Sequence, residues 1–350
     1  MSIAQNKLVY EDCKRACIDI DSFSTLKNNT VLVTGGTGFV GKWISEMISY
    51  INENESYNIN LYLLGRDISN FRNQVPHLAE KKFIKLIEQD VRYIHSIPDE
   101  VNFIIHAAGT PDSRFHVSEP LKTIETIYKG TQSLLDAATR LSSLKKIIYL
   151  SSHQVYGKNE SRQRMTEKFL GILSPISANN CYEESKRISE TLCSYYRNYL
   201  KLPILILRPF AFLGPYQSLE KPWAINSFIR DSILGGPIRI LGNGLTERSY
   251  LYAGDMAYWI LKSLVAGNIG DVYNLGSNKP ISLNDLAFKI QGQFQTNIEI
   301  ISKSAKEIYD SSSFIVPDTE KTITELGVKE NFNVDYAIER TIKWNNMANL

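Results

Sequence analysis

Short apolar runs alternate with amphipathic stretches along the first two thirds of the chain. Thr30–Thr34 (TVLVT) is β-branched and ends on two glycines, residues 59–64 (INLYLL) follow, and Ile84–Glu88 runs into Gln89 and Asp90. Residues 102–106 (NFIIH), Lys146–Leu150 (KIIYL) and 203–207 (PILIL) complete six predicted strands. Between them apolar residues recur at helical spacing, from 38 to about 52, over about 120–141 and over about 181–200. Near-continuous apolar strands separated by helices predict βαβ units, and so a parallel sheet covered on both faces. The expected fold class is α/β: a Rossmann-type doubly wound parallel sheet, with a smaller mixed α/β C-terminal substrate-binding region.

The pattern differs at the two ends. Residues 1–28 are polar with a helical flavour (Val9, Cys13, Ala16, Cys17, Ile20), which predicts an N-terminal extension packed on the main body. Residues 29–209 form the predicted Rossmann domain. Beyond Arg208 the elements shorten and glycine and proline become frequent (Gly214, Pro215, Pro222, Gly235, Gly236, Pro237), so 210–350 is expected to bind substrate mainly, with segments returning to the Rossmann body.

Composition narrows the classes. Of 350 residues 43% are hydrophobic and 22% charged, the make-up of a folded globular chain. The net charge of +2 comes from scattered basic residues, which argues against a nucleic-acid partner, whose phosphates call for a basic stripe. Cys13, Cys17, Cys181 and Cys193 fit neither a disulfide framework nor a zinc site, so reduced thiols and no metal are expected. No run approaches the ~18 apolar residues of a membrane span, and residues 1–10 carry no apolar signal core. A cytoplasmic protein, with no membrane partner, is the expectation.

Chemistry enters at the first strand end. Residues 34–41 read TGGTGFVG, with Gly35, Gly38 and Gly41 between a strand and a helix. There the first glycine permits the tight turn, the second lets backbone approach a pyrophosphate, and the third lets helix and strand pack closely. Phe39 and Val40 open the helix beside them. The second strand should carry the residue that reads the adenosine ribose. It ends Leu64-Gly65-Arg66-Asp67, so glycine stands where an acid suited to NAD is expected and Arg66 follows. An arginine suits the 2′-phosphate of NADP, which is the cofactor expected ahead of NAD, unless Asp67 does the reading. Asp90 and Val91 should flank the adenine.

A second group lies further on. Tyr182 and Lys186 are four apart at the start of a predicted helix, and so on one face. A phenol is a poor base at its free pKa of about 10, but a neighbouring ammonium and a positive nicotinamide ring favour the phenolate. Lys186 can also hold the nicotinamide ribose. Some 30 residues earlier the fifth strand ends in Ser151-Ser152-His153-Gln154-Val155-Tyr156-Gly157. Ser152, at the carboxyl end of a parallel strand, points where α/β ligands bind.

Six blocks in order, TGGTGFVG, HAAG (106–109), SSHQVYG, YEESK, RPFAFLGP (208–215) and RSYLYAGD (248–255), carry a family resemblance over roughly 30–330. The chain resembles the extended short-chain dehydrogenases, in their NAD-dependent epimerase/dehydratase branch acting on nucleotide sugars. The resemblance implies Ser152, Tyr182 and Lys186 as the catalytic set. It implies Gly35, Gly38, Gly41, Ala107 and Ala108 around a dinucleotide, and Arg248 on the substrate diphosphate. Ala211 and Asn226 are further substrate-side candidates. It also implies a homodimer through the two helices whose stripes are Ile124, Ile127, Leu134, Leu135 and Ile188, Leu192, Tyr195, Tyr196, unless those stripes face the sheet.

The chain departs from the family at three places. His153 and Gln154 replace an Asp-Glu pair of the 4,6-dehydratases, and Gln cannot shuttle a proton, whereas His153 is either an acid/base near neutrality or a packing residue. Ala211 stands for an asparagine of the substrate loop, and Ile127 for another before Gly130. The expected function is therefore epimerase-like: hydride leaves a sugar carbon, C4 by preference, while Tyr182 takes the hydroxyl proton. The alternatives are an NADPH-dependent reductase of a 4-keto nucleotide sugar, with Tyr182 donating the proton, and a regulator that keeps the cofactor and has lost the chemistry.

Overall fold

The computed structural model describes residues 1–174, 176–295, 298–302 and 313–347. The expected strands form as β1 (Thr30–Thr34), β2 (Asn60–Gly65), β3 (Ile84–Glu88), β4 (Val101–His106), β5 (Lys146–Leu150) and β6 (Ile204–Pro209). The C-terminal region adds β7 (Ala211–Leu213), β8 (Tyr250–Tyr252) and β9 (Val272–Leu275). Among the described residues the main sheet has seven strands in the order β9-β6-β5-β4-β1-β2-β3, every neighbouring pair parallel. The order steps outward in both directions from β1 and β4. That makes the sheet doubly wound, and its switch point falls between β1 and β4, where ligands of such sheets bind.

Helices cover both faces. α1 (Ile3–Ala16), α2 (Phe39–Glu55), α3 (Gly130–Ala138), α4 (Cys181–Leu200), α5 (Ala224–Ile233), α6 (Ala253–Ala266) and α7 (Val334–Asn346) are the main ones. α3 is entered through Pro120–Ile124 and a π-helical turn at Glu125–Lys129. One face of the sheet packs Val31, Val33, Ile105 and Ile148 with α1, α2 and α6, and the other packs Leu32, Ile104, Ile147 and Ile206 with α3 and α4. Alternate residues of each strand thus enter opposite layers, as strands covered on both faces require.

The N-terminal segment does pack on the body. Leu8, Val9, Cys13 and Ala16 of α1 are buried, and the deeply buried Asp12 accepts from the hydroxyls of Tyr252 (2.5 Å) and Tyr336 (2.8 Å) and pairs with Arg340 (2.9 Å). A buried carboxylate is tolerable with such partners, and these come from β8 and α7. The C-terminal region returns β9, α6 and α7 to the Rossmann body. Its remaining strands are two or three residues long: Ile238–Ile240 pairs with Ile300–Ser302, and Glu247–Arg248 with Ile281–Ser282 and Phe314–Ile315. No helix among the described residues is long and apolar enough to cross a membrane.

Candidate active site

The turn from β1 into α2 is shaped by missing side chains. Gly35 has φ +67°, and a Cβ there would lie 2.8 Å from the Ala107 carbonyl oxygen; at Gly41 it would lie 2.1 Å from the Gly36 carbonyl oxygen. Neither position admits a methyl group. Gly38, the N-cap of α2, meets only the Gly35 carbonyl oxygen, at 3.1 Å. The first backbone bond returning to this turn runs from the Lys42 N–H to the Gly38 carbonyl, 3.0 Å, and no described residue accepts from the N–H groups of Phe39, Val40 or Gly41. Three open donors at a 17-residue helix's positive end, with no acidic residue in its first turn, suit a diphosphate.

The rest of the expected cofactor edge is mixed. Arg66 and Asp67 are both exposed at the end of β2, and Asp67 caps the next short helix by accepting from the Asn70 N–H at 2.8 Å. Asp90 is engaged by Arg92, whose Nη2 lies 2.9 Å from its Oδ2 and whose hydrogen bonds hold the carboxyl below the usual carboxylate range. Val91 is buried against α3, where a Cβ on Gly130 would come within 2.7 Å of it. Ala107 and Ala108 follow β4 directly, with the Ala107 N–H bonded to the Thr34 carbonyl at 3.1 Å.

Ser152, Tyr182 and Lys186 come together. Each is buried, with 5%, 6% and 5% exposure, at the carboxyl end of the sheet beside the switch point. Ser152 caps the 3-10 turn His153–Tyr156, its Oγ accepting from the Gln154 N–H at 3.2 Å, and its hydroxyl lies near enough to the Tyr182 phenol to oppose the upward push of burial. Lys186 Nζ donates to the Leu150 carbonyl at 2.7 Å and lies 6.0 Å from the Tyr182 ring centre. Its open side faces Gly109, where a Cβ would sit 4.0 Å from Nζ.

The electrostatics correct one expectation. The ammonium was expected to acidify the phenol, yet burial pushes Tyr182 up to about 12, with Ser152 opposing and the Glu183 charge adding to the rise. Lys186 itself is lowered to about 8 by burial, and it is turned onto Leu150 rather than onto the phenol oxygen. Desolvation outweighs pairing here because both groups sit in the same dry corner.

Sequence reasoning missed His116. Its ring stacks on the Tyr182 ring with centres 4.3 Å apart and planes 10° apart, and its Nε2–H donates to the Thr110 carbonyl at 2.7 Å. The available signal was position: His116 stands on the short helix Ser113–Ser118 that follows HAAG, in a segment that must pass the site. The next residue after the phenol, Glu183, leaves its Oε2 buried without a partner.

His153 is not an acid/base for neutral pH. Burial and the nearby Arg248 charge lower it to about 4, so the ring is neutral. Its Nδ1 lies 3.2 Å from the Pro209 carbonyl and its ring stacks on Phe210 with centres 5.1 Å apart. Arg248 is half-buried. Its Nη1 donates to the carbonyls of Glu247 (2.9 Å) and Ser313 (3.1 Å), and among the described residues it has no carboxylate partner. Asn226 is fully buried, ties the loop at Ser218 through Nδ2 (2.8 Å) and leaves Oδ1 unpartnered. Ala211 pairs with Tyr250 in register, and Ile127 is buried in the π turn. Of the expected helix stripes, Ile127, Leu134, Leu135 and Tyr196 face inward, whereas Ile124, Ile188 and Tyr195 are exposed.

These residues fit a dinucleotide: open N–H donors at the glycine turn, a glycine floor at 109, and a buried lysine bonded only to a backbone carbonyl. A family model described as NAD dependent epimerase/dehydratase matches residues 31–276. UDP-glucuronic acid decarboxylase 6 of Arabidopsis thaliana is 28% identical over 300 residues, covering 86% of this chain and 84% of that one. The solved Bordetella bronchiseptica enzyme WbmF, in complex with NADH, superposes with a TM-score of 0.74 at 22% identity, over 93% of this chain and 94% of that one. UDP-glucuronic acid 4-epimerase of Bacillus cereus, in complex with UDP-glucuronic acid and NAD, gives 0.77 at 21% identity, over 91% and 99%. The chain belongs to the NAD dependent epimerase/dehydratase family of enzymes.

Proposed function

We propose that the protein oxidises and re-reduces one carbinol of a nucleotide-activated sugar, C4 by preference, and so works as an epimerase or dehydratase-type enzyme. The observation that carries this reading is the assembly of Ser152, Tyr182 and Lys186 in one buried corner beside the glycine turn. The bound dinucleotide supplies the hydride acceptor and donor. The chain supplies the rest. Tyr182 holds or takes the proton of the sugar hydroxyl at its phenol oxygen, Ser152 orients that oxygen, and Lys186 holds the nicotinamide ribose. With the phenol raised to about 12 in the protein alone, its activation would come from the positive charge of a bound oxidised dinucleotide and from Lys186, which would hold that cofactor's ribose.

Arg248 supports a diphosphate substrate, since a guanidinium taken part-way out of water without a carboxylate wants an anion. The relative and the neighbour named above act on or bind UDP-glucuronic acid, which makes UDP the nucleotide to try first. NAD occupies the neighbours and Arg66 favours NADP; either serves this chemistry. Arg66 also supports the second reading, an NADPH-dependent reductase of a 4-keto nucleotide sugar. A homodimer through α3, α4 and the Pro120–Ile124 turn belongs to the same proposal, with Leu121, Ile124, Ile188, Tyr195 and Tyr199 exposed on those segments; a monomer mass in solution contradicts it.

The test is mass spectrometry of molecules released on denaturing the purified protein, joined to turnover assays. Release of NAD or NADP, with turnover of a UDP-sugar and no net loss of reduced nicotinamide, is expected. Stoichiometric loss of reduced nicotinamide on a keto-sugar nucleotide indicates the reductase, and an empty protein that turns over no nucleotide sugar contradicts both readings.

A further inference from the structure

Two segments that border the glycine turn and the catalytic corner are joined through charged side chains. Residues 109–118 follow β4, and there Gly109 lies beside Lys186 Nζ and His116 stacks on Tyr182. Residues 214–226 run from β7 into α5 and lie against α2. The Trp43 indole N–H of α2 donates to the Pro215 carbonyl at 2.9 Å, and Tyr216 bonds Glu46. One segment thus flanks the lysine assigned to the nicotinamide ribose, and the other flanks the helix whose open N–H groups suit the diphosphate. Asp112 links them. Its Oδ2 accepts from Arg114 Nη2 at 3.0 Å and from Lys221 Nζ at 3.2 Å, and Arg114 Nη2 also donates to the Glu220 carbonyl at 2.9 Å. Among the described residues, the hydrogen bonds and ion pairs between the two segments are those of Lys221 to Asp112 and of Arg114 to Glu220, and both donors are cations.

Each segment is pinned at its root. His116 Nε2 donates to the Thr110 carbonyl at 2.7 Å, and Asn226 Nδ2 donates to the Ser218 carbonyl at 2.8 Å. Across the gap the turn at 218–222 is held by charge, so parting those contacts opens the crevice without unpacking either root. The Asp112 side chain is 11% exposed and needs its cations, whereas those of Lys221 and Arg114 are 36% and 61% exposed and within reach of salt. We propose that Asp112, Arg114 and Lys221 form a clasp that closes over the bound dinucleotide, and that its opening sets how fast the dinucleotide leaves. This rests on the dinucleotide assignment above, and it gives that assignment a kinetic consequence. A cycle that returns its hydride to the sugar has no need to release the cofactor, whereas a reductase must exchange it at every turnover. A clasp of half-exposed ion pairs suits the first case: weak enough to open without unfolding, and shut for most of the time.

The experiment is isotope exchange on the protein carrying its own dinucleotide. Deuterium-labelled NAD and NADP are added in excess as probes, and the bound fraction is followed in time by mass spectrometry. Lys221→Met, which keeps the stem and removes the charge, should exchange at least about fivefold faster than the parent with Tm nearly unchanged. Lys221→Arg should stay closer to the parent than to Lys221→Met. Parent exchange should also speed up at least about twofold between about 50 mM and about 500 mM KCl, and a Lys221→Met, Arg114→Met double variant should lose most of that response. A smaller rise in a folded Lys221→Met protein overturns the clasp. Parent exchange indifferent to salt overturns it as well, and that measurement needs no variant to fold. A protein that neither carries nor takes up either dinucleotide removes the clasp and the assignment beneath it together. Uptake with exchange insensitive to charge and salt removes the clasp alone.

Discussion

The two halves of the site are built from different material. The cofactor half is backbone: its shape at Gly35 and Gly41 is set by contacts of 2.8 and 2.1 Å that a single methyl group would occupy, and its donors are open N–H groups of α2. The half proposed to take the sugar is side chain: Ser152, Tyr182, Lys186, His153 and Arg248 come from the end of β5, α4 and the C-terminal region, and Gln154, Glu183 and Asn226 each keep a buried side-chain oxygen without a partner. A half made by sterics tolerates almost no substitution and depends little on charge. A half made by desolvated side chains changes its chemistry with each one, which is how one fold can serve many substrates.

The sharpest way to break this contrast is Gly41→Ala. Its Cβ would enter the Gly36 carbonyl, so loss of the dinucleotide from the purified protein, or loss of soluble protein, is expected. Parent-level dinucleotide on release by denaturation would show that the turn is not sterically set. Next is Tyr182→Phe, which should keep the dinucleotide and lose about 10³-fold in turnover, the scale of one general acid/base. Arg248→Ala should weaken nucleotide-sugar binding by about 30-fold or more, since it leaves the diphosphate without its fork; a change under threefold by calorimetry would remove Arg248 from the site.

Smaller effects sharpen the side-chain half. His116→Ala should lower kcat about tenfold with KM nearly unchanged, and His116→Phe, which keeps the stack on Tyr182, should recover most of it. Equal defects in both variants would make the Thr110 bond, rather than the stack, the point of the residue. The smallest effect concerns stability. His106 is held between the hydroxyls of Thr34 (2.6 Å) and Thr131 (3.0 Å), and burial lowers it from 6.5 to about 3. A depressed histidine contributes stability above its unfolded pKa and loses it as pH falls toward the folded one. Between pH 8 and pH 5 it should cost about 2 kcal/mol, read as a fall in Tm that His106→Asn makes shallower.

The same contrast explains what could be read from the chain. The strands β1, β3 and β5 and the helix Cys181–Leu200 were legible to the residue, because parallel strands buried on both faces are apolar runs and the helices between them keep their period. β9 was not, since Val272–Leu275 is four residues long and is a strand only because β6 is there to pair with it. The glycine turn and the Tyr182–Lys186 pair were legible from spacing. Burial was not: that Tyr182 is raised to about 12, that Lys186 turns to Leu150, and that His153 is neutral follow from surroundings assembled by distant segments. His116 belongs to the same class, since a ring stack between the short helix Ser113–Ser118 and α4 leaves no mark on local sequence.

The most direct measurement is a stopped-flow trace of nicotinamide absorbance. Protein carrying its oxidised dinucleotide is mixed in turn with UDP-glucose, UDP-N-acetylglucosamine and UDP-glucuronic acid. A transient rise and fall at the reduced-nicotinamide band with at least one of them, absent in a Tyr182→Phe protein of equal dinucleotide content, is the expected result. A Tyr182→Phe protein giving the same transient at the parent rate would contradict the assignment of the phenol as the group that takes the sugar proton.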